Sequence, residues 1–149
     1  MNIYMIYTLR LIIATIIGAL IGLDKGVRGR IIGIKTYSLV CLGSCLVSAI
    51  CMIMTNEIEP TTFGRVAGSI VVSLGFLGAG VILVTKDYQI RGLTTAASIW
   101  FTSCLGLVIG TDYYWLAIPA VICYFIVFVL FSKIEDIYKR DDEEDEDKK

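Results

Sequence analysis

Five stretches of this chain are almost empty of charge: residues 3–23, 36–54, 66–84, 93–110 and 113–132. Each has about the 17–25 residues that a helix needs to cross a bilayer. They are apolar on every side, unlike the one-sided stripe of a helix lying on a soluble core. Arg10 is the only charged residue inside any of them. The pattern predicts an all-α fold, a polytopic membrane bundle of five transmembrane helices joined by short connections.

The polar connections set the expected orientation. Lys25, Arg28, Arg30 and Lys35 follow the first span, Lys86 and Arg91 the third, and Lys133, Lys139 and Arg140 the fifth. The alternate loops offer only Arg65. Basic residues accumulate on the cytoplasmic side, so the N-terminus is expected outside and the C-terminus inside. Tyr4, Tyr7, Tyr113, Tyr114 and Trp115 would then lie at the outer interface, where amphipathic rings anchor. Residues 3–23 lack a basic leader and a small-residue cleavage signature, so they are expected to be a retained span and not a signal peptide.

Composition agrees. The 149 residues are 56% hydrophobic, against about 45–50% in soluble domains. The formal net charge of −1 conceals an asymmetry, because residues 141–149 hold seven acids and two lysines. The rest of the chain carries a small, dispersed positive excess, too little to indicate a nucleic-acid partner. The expected division is a transmembrane domain over 1–134 and an acidic, disordered cytoplasmic tail over 135–149.

Several motifs invite chemistry. "GFLGAGVIL" (75–83) has the look of a phosphate-binding glycine loop, but its glycines fall inside an apolar span with no Lys-Ser/Thr after them. Gly75, Gly78 and Gly80 are therefore expected to let helices pack, as are Gly18, Gly22, Gly106 and Gly110 in small-xxx-small spacings. Thr94, Ser98, Thr102, Gly106 and Gly110 recur every fourth residue and mark one face of span four. This face is either a packing seam or a pathway lined by hydroxyls.

Arg10 either snorkels to the outer headgroups or faces the bundle. Asp24, at the inner end of span one, is either an interfacial salt-bridge partner of Lys25, Arg28 or Arg91, or a carboxylate that senses cations or protons. Alone it is a poor Mg²⁺ site, and Asp87 is the only other carboxylate expected on that side before the tail. Arg91, Thr94 and Thr95 open span four, where a threonine is expected to cap the helix. Cys41, Cys45, Cys51, Cys104 and Cys123 all fall in spans; an odd intramembrane set in a chain without histidine reads as small apolar filler. No cofactor is implied, and the residues do not decide whether a metal binds.

Three stretches together resemble the MgtC/SapB family of bacterial inner-membrane proteins: "RLIIATIIGALIGLDKGVRGRIIGIKTYSLVCLG" (10–43), "VSLGFLGAGVIL" (72–83) and "RGLTTAASIWFTSCLGL" (91–107). The likeness covers roughly residues 8–130. Asp24 stands where the family has glutamate, Lys25 and Lys35 replace arginines, Ile31-Ile32 replaces Pro-Ala, and Tyr37 replaces His or Asn. Some relatives add a soluble cytoplasmic domain after the fifth span, where this chain has its acidic run. The resemblance implies a role in adaptation to low magnesium, survival inside phagocytes in pathogens, and a non-enzymatic regulatory or accessory mechanism. It also implies a membrane partner such as the F-type ATP synthase or a cation transporter. The cluster expected to matter is Asp24, Lys25, Arg28, Arg30, Lys35, Thr36, Arg91, Thr94 and Thr95. The alternative is a Mg²⁺ or other ion permease. The chain is small and rich in glycine faces, so a homo-oligomer in a bacterial plasma membrane is expected.

Overall fold

A computed structural model describes residues 3–27, 32–55, 61–84 and 90–146, with side chains over 3–23, 32–54, 61–84 and 90–131. In chain order the elements are helix α1 (Ile3–Val27), α2 (Ile34–Thr55), α3 (Thr62–Ala79), strands β1 (Leu83–Val84) and β2 (Ile90–Arg91), α4 (Leu93–Gly110), a single 3-10 turn (Tyr114–Leu116) and α5 (Ala117–Glu146). Five helices are long and apolar enough to cross a membrane. The fold is the expected all-α membrane bundle.

Within residues 1–116 the largest interfaces are α1 with α2 and α2 with α4. The burial of α4 is deepest, with Ser98, Ile99, Thr102, Ser103, Leu105, Gly106, Ile109 and Gly110 all enclosed. Helix α3 packs on α4 and α2, yet Gly78 is its one buried residue. Residues 117–149 form a separate compact unit built on α5. In that unit Tyr124 stacks at 4.9 Å on Phe128, one turn on. The α5 backbone continues helical to Glu146, beyond the end of the apolar run.

Small residues explain the closeness of the core. A Cβ added at Gly18 would lie 2.6 Å from the Tyr37 carbonyl oxygen, and one at Gly22 would lie 2.6 Å from Ile34 Cα. On the other side of α2, a Cβ at Gly106 would collide with the Cys41 carbonyl, and one at Gly110 would lie 2.6 Å from that of Cys45. Helix α2 is thus gripped between two glycine stripes at backbone distance. In lipid such approach supplies the dispersion that holds helices together.

Three expectations need correction. The third helix ends at Ala79 instead of Val84, so "GFLGAGVIL" straddles a helix terminus and is not mid-span. Its end is tightened by i→i+3 bonds, from Val81 N to Gly78 O at 3.1 Å and from Ile82 N to Ala79 O at 3.2 Å. This is the usual way a last turn satisfies its orphan carbonyls. Beyond it Leu83–Val84 pairs antiparallel with Ile90–Arg91, and Gly92, at φ 96°, turns the chain back under Val81. The same helix begins at Thr62, which places Arg65 inside α3 and not in a loop. Neither Thr94 nor Thr95 caps α4: the N-cap is Gly92, with no side-chain bond. Its carbonyl accepts the amide of Ala96 at 2.8 Å.

Candidate functional site

On α1 the buried positions Arg10, Ala14, Gly18 and Gly22 recur every fourth residue, so the arginine lies in register with the packing glycines. This decides between the two readings of Arg10: it faces the bundle. Its side chain is 9% exposed and donates from Nη2 to Asp112 Oδ1 at 3.0 Å. Nη1 donates to the carbonyl oxygen of Gly110 at 3.2 Å. The guanidinium carbon lies 5.0 Å from the ring centres of both Tyr7 and Tyr114. Nε is buried without a hydrogen-bond partner.

Each contact has a physical cause. Gly110 is the last residue of α4, so its carbonyl is one of the four that a helix leaves unbonded, at the negative end of the helix dipole. A cation over an aromatic face gains about 0.5–1 kcal/mol where exposed and about 2 kcal/mol where desolvated. Asp112 is 71% exposed, so its pairing is screened by water and weak. The turn that carries it is knitted by Thr111, whose hydroxyl donates to Val108 O at 2.7 Å and accepts from Tyr113 N at 3.2 Å. Chemically the arrangement is a latch: it joins the start of α1 to the end of α4.

A second polar feature runs between α2 and α4. Ser44 and Ser103 hydroxyls meet at 2.7 Å, Ser48 donates to Leu107 O at 2.7 Å, and Tyr37 donates to Thr95 O at 3.4 Å. Ser98 and Thr102 turn back to the carbonyls of Thr94 and Ser98 at 2.7 and 2.8 Å. Of the fourth-residue stripe on α4, Gly106 and Gly110 meet α2, Ser98 and Thr102 are buried, and Thr94 is exposed.

The expected cytoplasmic cluster is only partly on view. Lys35 is exposed and Thr36 half-buried in the first turn of α2; Arg91 is exposed in β2, and Thr95 is buried. Gly22 against Ile34 and Tyr37 against Thr95 bring the end of α1 and the starts of α2 and α4 to one end of this unit. Arg10 and Asp112 hold the other. The backbones of Asp24 and Lys25 belong to the last turn of α1; their side chains, with Arg28, Arg30, Lys86 and Asp87, lie outside the described residues. Among the described residues no three His, Cys, Asp or Glu converge as metal ligands.

The expected packing glycines divide. Gly18, Gly22, Gly106 and Gly110 touch neighbouring backbone, Gly78 has Ala96 Cβ at 3.5 Å, Gly80 meets only carbonyls of its own helix, and Gly75 has nothing within 4 Å. Sequence reasoning missed Asp112, Ser44, Ser48 and Ser103. A signal for Asp112 existed, since alternating spans put residue 10 and the loop at 111–112 at the same end. Ser44 and Ser48 gave none, because the middle of α2 is apolar or small on all sides.

Comparison with known proteins agrees with this architecture. The model of the MgtC family matches residues 11–137. The chain is 34% identical over 133 residues to the "Putative magnesium transporter YhiD" of Escherichia coli K12, covering 86% of this chain and 61% of the relative. It is 37% identical over 116 residues to protein MgtC of Salmonella typhimurium LT2, covering 78% of this chain and 48% of the relative. A Haemophilus influenzae protein is 30% identical over 119 residues, covering 76% and 50%. The chain thus spans about half to three-fifths of these relatives' length. No solved structure matches. A multi-pass helical membrane protein in architecture, the chain belongs to the MgtC family of bacterial proteins.

Proposed function

We propose that this protein is a non-enzymatic regulatory or accessory component of the bacterial membrane in adaptation to low magnesium, acting through contacts with other membrane proteins. The observation that carries the reading is how the intramembrane polar groups are used. Arg10 is bound to Gly110 and Asp112, and the serine hydroxyls of α2 bond to α4. Glycines close both sides of α2 at backbone distance. Transporters place polar binding groups around a site near mid-membrane and move one helix set past another. Here the same groups hold the helices shut.

In this reading the N-terminus is outside and the C-terminus cytoplasmic, so Lys35, Thr36, Arg91 and Thr94 present a basic, hydroxyl-bearing end to the cell interior. A membrane complex such as the F-type ATP synthase, or a cation transporter, is the class of partner proposed. The second reading is Mg²⁺ transport, favoured by the name of the YhiD relative.

Purified protein in sealed liposomes separates the two. Mg²⁺ entry equal to that of empty vesicles is expected. Saturable entry, lost in Asp24→Asn, would overturn the regulatory reading. Crosslinking from native membranes then identifies the partner.

A further inference from the structure

The connection between α3 and α4 holds a pair of short strands on either side of residues 85–89, which lie outside the described residues. The chain leaves α3 at Gly80, pairs Leu83 with Arg91 and Val84 with Ile90 in an antiparallel hairpin, and enters α4 through Gly92. Directly opposed residues share a face. One face of the hairpin is therefore Val84 with Ile90, and the other is Leu83 with Arg91. All are open: Leu83 is 54% exposed, Val84 68% and Ile90 59%. Leu93, the first residue of α4, is 56% exposed.

Position decides what meets these side chains. Helices α3 and α4 are consecutive spans of 18 residues each, so the hairpin between them is held at one surface of the bilayer. Exposed apolar side chains continue from it along α3, at Leu77 and Val72. A groove of about 400 Å³ at its base is lined by Ile32, Thr36, Phe76, Leu77, Gly80 and Val81 among others, and Phe76 is 87% exposed. Among the described residues of this connection, apolar side chains with a cation, Arg91, at their edge match the bilayer interface, where hydrocarbon ends and phosphates begin.

We propose that the paired strands Leu83–Val84 and Ile90–Arg91 are a lipid-binding element of the leaflet they touch. The Val84–Ile90 face enters the acyl boundary, and Arg91 engages the phosphate of an anionic phospholipid. Leu83, on the same face as Arg91, covers the aliphatic stem while the guanidinium reaches outward, as long basic side chains do at membrane surfaces. The headgroup charge matters because each Arg or Lys near an anionic surface contributes about 1 kcal/mol, or about fivefold in binding. The assignment holds for either orientation of the chain; it gives Arg91 of the basic end to lipid and leaves Lys35, Thr36 and Thr94 to the proposed partner contact.

Two measurements test it. In the first, Trp100 and Trp115 are replaced by Phe and a single Trp is introduced as Val84→Trp, or as Ile90→Trp should the first fail to fold. In liposomes, quenching by lipids brominated near the top of the acyl chain is expected to exceed quenching by aqueous acrylamide. Dominant acrylamide quenching would overturn the proposal, as would shielding from both quenchers, which means that a protein strand covers the hairpin. In the second, the full chain is released from mixed phosphatidylglycerol–phosphatidylcholine bilayers and its bound lipid is measured by native mass spectrometry. Arg91→Gln is expected to lower the enrichment of phosphatidylglycerol about fivefold, while Arg91→Lys, which keeps the charge, leaves it unchanged. Equal enrichment in Arg91→Gln and the unsubstituted protein would refute the headgroup contact.

Discussion

Arg10 shows how a charge survives inside a membrane span. Burying a guanidinium costs several kcal/mol after relaxation. Here the cost is offset by the free carbonyl of Gly110 and the faces of Tyr7 and Tyr114 more than by its carboxylate, since Asp112 is mostly in water. Arg10→Ala removes packing, two cation–aromatic contacts and a bond to a helix end; it is expected to destabilise the purified protein by about 2–3 kcal/mol. Asp112→Ala leaves those contacts in place and is expected to cost less than about 1 kcal/mol. Denaturation in detergent by thermal melt reads both. An Asp112→Ala effect as large as that of Arg10→Ala would mean that the ion pair, and not the helix end and the rings, holds the arginine. The glycines give a parallel contrast. Gly106→Ala must displace Cys41 backbone and is expected to cost about 1–3 kcal/mol. Gly75→Ala meets open space and is expected to stay within about 0.5 kcal/mol.

At the scale of elements, the five spans were legible because length and freedom from charge identify a membrane helix with little competition from other structure. The spacing of Gly18, Gly22, Gly106 and Gly110 also carried its meaning, since fourth-residue glycines have few uses in lipid. The end of α3 was not legible. Val81 to Val84 is as apolar as the helix before it, and periodicity cannot tell a short buried strand from a helical segment. What settles it is tertiary: Gly92 at φ 96° packs against Val81 and lets the chain double back. The latch was half legible, with Arg10 in register with Ala14 and Gly18, but its closure depends on where α4 ends. Gly92→Ala tests the hairpin account. A side chain there would take a left-handed conformation and collide with the Val81 carbonyl, so a loss of about 1–3 kcal/mol is expected. The conservative Gly92→Asn, which tolerates that conformation better, should lose no less, because the collision remains. Recovery in the Asn variant would show that φ alone matters.

Across residues 1–116 the two ends of the unit differ in chemistry. One end is closed by Arg10, Asp112 and the tyrosine rings; the other presents Lys35, Thr36, Arg91 and Thr94, three of them exposed and Thr36 half-buried. Packing and function should therefore be separable by mutation. Lys35→Gln combined with Thr94→Ala touches exposed side chains only, so the melting behaviour should shift by no more than about 0.5 kcal/mol. If the basic end is where a partner is engaged, that variant should fail to restore growth of a deletion strain at limiting Mg²⁺ while its membrane abundance stays normal. Ser44→Ala with Ser103→Ala breaks the bond between α2 and α4. It should do the reverse: lose about 0.6 kcal/mol of coupling, the average for such bonds between membrane helices, yet restore growth as far as its abundance allows. Measuring growth, abundance and stability on the same variants keeps the two effects apart. A serine variant that is stable and abundant but inactive would place function along the α2–α4 seam, which is what an ion pathway there requires, and would move the assignment from partner regulation to transport.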